Sequence, residues 1–273
     1  LGLPDPADRD RLDQRLAAIR EVGRFVPDKA IGQLRKVEAQ ARAAPPATLG
    51  EFLNVLSLAK RSVGMTDSAT QLADELVALG KRHNDPVLIA KGLLAKCYIA
   101  STKNDMQASH RYAWEAEKIA NTTGDMALRV QAAITSGHSH GEEGNLPAAL
   151  GKLQEAVSLA RTYGRPIQMV MALNALANQY GQLKEFDKGF ETLDEAFSVA
   201  ATINSPGRIA MLKNAEYGLA VETGQFDRGL KALLEALALE RSIGAESMIV
   251  GSLVDLSDSY LKKHDYARTR TYA

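Results

Sequence analysis

The chain has 273 residues, with 33 Lys and Arg balanced by 33 Asp and Glu, 45% hydrophobic residues and 5% aromatic ones. That apolar fraction can fill the core of one or two domains or of a repeat array, whereas a formal charge of zero argues against nucleic acid as the main ligand. The single cysteine, Cys97, excludes an internal disulfide and any multi-cysteine metal site, and no run of about 18 apolar residues is present to span a membrane.

Apolar residues recur at three- and four-residue spacing from Arg11 to the last residue, and strand-like alternation is absent. The first stretch, Leu12 to Ala44, reads as a helix pair with Phe25-Val26-Pro27-Asp28 as its turn and Ala30, Leu34 and Val37 on the second helix. Ala43 to Ala47 is a longer connector, and Gly50 to Asn84 forms a further unit with Ala69 at a small position. From there the repetition becomes regular. Met106, Leu146, Phe186, Phe226 and Tyr266 lie 40 residues apart. Each follows Asp105, Asn145, Glu185, Gln225 or Asp265, mostly residues able to cap a helix start. Three residues later stand Ser109, Ala149, Gly189, Gly229 and Thr269, and ten later Ala116, Ala156, Ala196 and Ala236. Gly189 and Gly229 cost about 0.5–1 kcal/mol inside a helix, so they predict close approach of neighbouring backbones. Gly124, Gly164, Asn204 and Gly244 end the units as expected left-handed C-caps, while Pro86, Pro166 and Pro206 suit the first turn of the next helix. Seven units follow in a single domain, at 1–46, 47–84, 85–124, 125–164, 165–204, 205–244 and 245–273. The last is cut within its second helix, which leads us to expect a piece of a longer protein.

Gly224-Gln225-Phe226-Asp227-Arg228-Gly229-Leu230 followed by Ala236 resembles the helix B signature of tetratricopeptide repeats (TPR). Leu173, Leu176, Ala177 and Tyr180 sit where that family places its helix A set, as do Leu253, Leu256, Ser257 and Tyr260; Tyr217 and Asn174 depart from it. The usual period is about 34 residues, and forty resembles the longer variant of bacterial regulators, peptide-pheromone receptors and some eukaryotic scaffolds. The resemblance implies an all-α, right-handed α-solenoid whose A helices line a concave groove for extended or helical peptides. Carried over, the groove positions are Lys91, Leu94 and Tyr98, then Gln131, Ile134 and His138, then Met171, Asn174 and Asn178, then Met211 and Asn214. Asn174 and Asn214 stand out because an amide can both donate to and accept from a peptide backbone. Their plainer alternative is a solvated polar surface, and that of the methionines is core packing.

The remaining reactive residues form no catalytic or metal-binding pattern. His138 and His140 are two apart and point to opposite sides of a helix, whereas two ligands for one ion want i and i+4. Cys97 is expected to be buried, with no histidine in motif relation to it. Ser136 to Gly141 lacks the lysine of a phosphate loop. Glu142, Glu143, Asp255 and Asp258 read as solvated acids, His110, Tyr112 and Trp114 as a surface cluster, and Lys262, Lys263, Arg268 and Arg270 as a short basic tail. No catalytic residue, metal or cofactor is expected. The reading is a protein- or peptide-binding module of a larger bacterial signalling protein, resembling sensory arrays joined to GGDEF-type diguanylate cyclases. A free-standing adaptor and a peptide-pheromone-responsive regulator are the alternatives. Partners would be a protein or peptide, not nucleic acid or membrane; a homodimer is compatible. The compartment stays open, with the resemblance favouring the periplasm.

Overall fold

The computed structural model describes residues 6–273, with side chains from Arg11 onward. Among the described residues, helices follow one another without a strand. They are α1 (Pro6–Phe25), α2 (Pro27–Arg35), α3 (Glu38–Arg42), α4 (Pro46–Ser62), α5 (Thr66–Arg82), α6 (Pro86–Thr102), α7 (Met106–Ala120) and α8 (Met126–Glu142). Then come α9 (Leu146–Tyr163), α10 (Pro166–Gln182), α11 (Phe186–Ala200), α12 (Pro206–Glu222), α13 (Phe226–Ile243), α14 (Glu246–Lys262) and α15 (Tyr266–Tyr272). Two compact units divide the chain at residues 142 and 143, in the turn between α8 and α9. Helices α4, α6, α8, α10, α12 and α14 are the A helices of their repeats, and α5, α7, α9, α11, α13 and α15 the B helices. No helix among the described residues is long and apolar enough to cross a membrane.

One backbone conformation sets the turn from A to B. Gly64, Asn104, Gly144, Lys184, Gly224 and His264 all have positive φ, between 57° and 77°, at intervals of 40 residues. The next residue's N–H then reaches back five positions, as from Asp105 to the Ala100 carbonyl and from Gln225 to Ala220, which satisfies carbonyls left open at the end of helix A. Asp105, Asn145 and Asp265 cap the following helix through their side chains, whereas Glu185 and Gln225 do not. The turn from B to A uses positive φ at Asn84, Gly164, Asn204 and Gly244. Gly124 departs from the expected C-cap. There the Thr122 and Thr123 hydroxyls donate to the Ile119 and Ala120 carbonyls, and Asp125 caps α8 by accepting from Leu128 N–H at 2.9 Å. Pro86, Pro166 and Pro206 open α6, α10 and α12 as expected.

Packing within a repeat runs through small residues spaced twelve apart. Ser57 Oγ donates to the Ala69 carbonyl at 2.8 Å, and Ser109 Oγ donates to that of Cys97 at 3.3 Å. A Cβ built on Gly189 would lie 2.9 Å from Leu219 Cδ1 and 3.5 Å from the Ala177 oxygen. Tyr217, the large residue in this slot, is accommodated by Gly229 opposite, and its hydroxyl lies 2.9 Å from Ser259 Oγ. Ala116, Ala156, Ala196 and Ala236 are completely buried, as are Leu153 and Leu233. The first unit holds a continuous core around Leu16, Leu34, Phe52, Leu53 and Leu76. In the first repeat the expected second helix is broken, with α2 ending at Arg35 and α3 starting at Glu38 while Val37 turns into the core. On the outer face of α7, Trp114 is 63% exposed with the Lys118 ammonium 5.3 Å from its ring.

Candidate ligand-binding faces of the A helices

In the first unit, the accessible stripe of each A helix repeats every 40 residues. Glu51, Lys91 and Gln131 occupy one level of α4, α6 and α8; Leu58, Tyr98 and His138 occupy another. Lys91 is held rather than free, because its ammonium lies 3.2 Å from Glu51, which also pairs with Arg20. Tyr98 and Gln131 do meet. Gln131 Nε2 donates to the Tyr98 hydroxyl at 2.6 Å, Tyr98 donates to Thr135 Oγ1 at 2.6 Å, and Thr135 donates to the Gln131 carbonyl at 2.9 Å. That closed circuit fixes the tyrosine across α6 and α8. Burial pushes its phenol pKa up, opposed by the hydrogen bond to Thr135. Leu94 and Ile134, named with this stripe, are buried instead.

His138 is open to solvent, yet desolvation by surrounding protein lowers its pKa, with Glu142 pulling the other way. Glu142 accepts from Ser101 Oγ at 3.3 Å, tying α8 to α6. Arg61, which the sequence did not single out, has its guanidinium carbon 5.7 Å from the centre of the Tyr98 ring. The signal for it was available: Arg61 is at the last turn of α4, three residues beyond the level of Tyr98 and His138 in the 40-residue register.

In the second unit, Met171, Asn174 and Asn178 follow one another along α10, with Asn178 exposed and the other two half-buried. Asn174 Oδ1 is buried without a hydrogen-bond partner. Met211 and Asn214 are half-buried on α12. Asn214 is not the free amide that a backbone clamp would use: its Nδ2 donates at 2.8 Å to Oε1 of Glu240, a fully buried carboxylate on α13. The asparagine side chain therefore turns inward, because a buried carboxylate demands a donor.

Other candidates fall outside these faces. Cys97 is buried 3.4 Å from Ser109 Oγ, and burial raises its thiol pKa, the opposite of what a nucleophile needs. Lys263 pairs with Asp227, and Arg268 lies 3.6 Å from Asp265. Among the described residues, no group of three or more His, Cys, Asp or Glu side chains is placed to hold a metal ion.

Successive antiparallel helix pairs, a constant period and small-residue contacts within each pair define a TPR-like all-α solenoid. No protein-family model matches the sequence, and neither does any curated protein. Solved structures share the fold at low identity. A Rap protein complexed with competence and sporulation factor matches with a TM-score of 0.71 and 16% identity over 89% of this chain and 67% of that one. BtubC (BKLC) from P. vanneervenii matches with a TM-score of 0.62 and 16% identity over 76% of this chain and 88% of its own. NprR in complex with its cognate peptide NprX matches with a TM-score of 0.59 and 12% identity over 97% and 75%.

Proposed function

We propose that this chain is a peptide-binding repeat module that holds its ligand against the accessible stripes of its A helices. The observation that supports this reading is the 40-residue register itself. In each unit it leaves polar or adaptable side chains accessible on the A helices, Tyr98, Gln131 and His138 in the first and Met171, Asn174 and Asn178 in the second, while flanking positions are buried between helices. Hydroxyls and amides of this kind can pair with a peptide backbone without reading its sequence, and methionines adapt to varied side chains. The Rap structure is complexed with competence and sporulation factor, and the NprR structure with its cognate peptide.

In the finer reading, the module senses its ligand on behalf of an output domain elsewhere in a larger bacterial signalling protein, a GGDEF-type cyclase being the arrangement it resembles. A ligand preferring one arrangement of the A helices would shift the population of states seen by that output. The direct test is capture of peptides from a random synthetic heptapeptide library by the full chain, followed by calorimetry on those retained. Replacing Asn174 and Asn178 together by alanine should weaken a retained peptide held in the second unit by about 1–3 kcal/mol. A chain that retains no peptide sinks the reading.

A further inference from the structure

We propose that the outer stripe of α7 docks on the outer stripe of α11 in a second copy of this chain. Both stripes are exposed and occupy the same 40-residue register of their B helices, two repeats apart. On α7 the stripe is Arg111, Trp114 and Lys118; on α11 it is Asp187, Glu191 and Asp194. Gly151, Gln154 and Ser158 stand level with the α7 residues on α9, so the outer face of a B helix requires neither charge nor ring. Trp114 is 63% exposed with the Lys118 ammonium 5.3 Å from its ring, and the Arg111 guanidinium carbon lies 5.1 Å from the Tyr112 ring. Glu115 is the one exposed acid of α7, against two exposed cations. The acids that α5 carries in this register are engaged, Asp67 3.6 Å from Lys103 and Asp74 2.7 Å from Lys96. On α11, Glu195 pairs with Arg161 and Lys188 with Glu185, whereas Asp187, Glu191 and Asp194 enter no ion pair among the described residues.

The two stripes match in spacing as well as in sign. Arg111, Trp114 and Lys118 are separated by three residues and then four; read backwards, so are Asp194, Glu191 and Asp187. An antiparallel crossing therefore sets Arg111 opposite Asp194 and Lys118 opposite Asp187. It also sets the indole opposite Glu191, whose carboxylate can accept the indole N–H once water is excluded. A large aromatic beside an arginine is the usual anchor of an interface, and the flanking charges fix its orientation. With 33 cations balanced by 33 acids, copies of the chain meet without net repulsion, so the local stripes decide the encounter. Each copy carries both stripes. Association either closes as a two-fold dimer with the contact made twice or continues into a longer assembly.

Sedimentation velocity on the full chain, from about 1 µM to about 500 µM, reads this directly. The wild-type chain should self-associate, and raising NaCl from about 0.05 M to about 0.5 M should weaken the association. Trp114→Ala should weaken it too. Two charge reversals, Arg111→Glu with Lys118→Glu and Asp187→Lys with Asp194→Lys, should each weaken it at least about tenfold, with the helical circular dichroism unchanged. Mixed in equal amounts, the two reversed chains should associate again, because each then meets a stripe of opposite sign. A wild-type chain that stays monomeric throughout overturns the proposal, as does association that neither reversal disturbs or that mixing fails to restore. Labelled polyglutamate that co-sediments with a monomeric chain assigns the α7 stripe to an acidic partner of another kind, and overturns it as well.

Discussion

Lys184 adopts a backbone conformation with φ of 59° at a position filled by glycine in Gly64, Gly144 and Gly224. A side chain there costs about 1–2 kcal/mol, against about 0.5–1 kcal/mol for the extra freedom glycine loses on folding. Lys184 is exposed, so Lys184→Gly should stabilise the chain by up to about 1 kcal/mol in urea unfolding, and Gly144→Ala should do the reverse. His138 makes a pH-dependent contribution whose sign follows from its lowered pKa. Below about pH 6.5 the unfolded chain takes up a proton that the folded histidine resists, so stability falls with pH until the folded pKa is passed. Wild type should therefore lose more stability than His138→Gln between about pH 7.5 and about pH 5.5, and the gap should close at the upper end. An equal loss in both proteins would refute the desolvation of His138.

Helix packing separates glycines that look alike in sequence. A Cβ on Gly92 of α6 would lie 2.6 Å from Val77 Cγ2, 3.1 Å from Val77 N and 3.3 Å from the Ala73 oxygen. Gly92→Ala must therefore push α6 off α5, and a loss of about 1–3 kcal/mol is expected in thermal or urea melts. Gly218 of α12 has nothing within 4 Å of the same point, so Gly218→Ala should stabilise by about 0.5–1 kcal/mol. Helix existence was legible in the sequence because the spacing of Met106, Leu146, Phe186 and Phe226 repeats a solved packing problem. The break at Val37 was not, since Ala30, Leu34 and Val37 fit a continuous helix and only the core decides otherwise. Side-chain engagement was equally hidden. Asn174 and Asn214 share one register, yet Asn214 bonds Glu240 from α13, a partner 26 residues away that no A-helix pattern displays. Arg61 was passed over although the register held it, because its contact with the Tyr98 ring, 5.7 Å away on the next A helix, exists only in space.

For the molecule as a whole, stacked repeats lend their stability mainly to neighbours. Phe52 is completely buried in the core of the first unit, and Phe52→Ala should cost about 3–5 kcal/mol there. Hydrogen exchange should then quicken across α1–α6 while amides of residues 143–273 keep their protection; uniform loss along the chain would show a single cooperative block instead. The choice of probe matters for such work, and Trp114 settles it. The sole indole already faces water on α7, so its emission has little room to redden when the chain denatures. The wavelength of tryptophan emission will therefore move little on unfolding, and a melt followed by that wavelength would stay nearly flat for a protein that circular dichroism sees collapse. The same indole makes a sensitive lamp for anything that settles on the outer face of α7, where a blue shift would announce contact without any label.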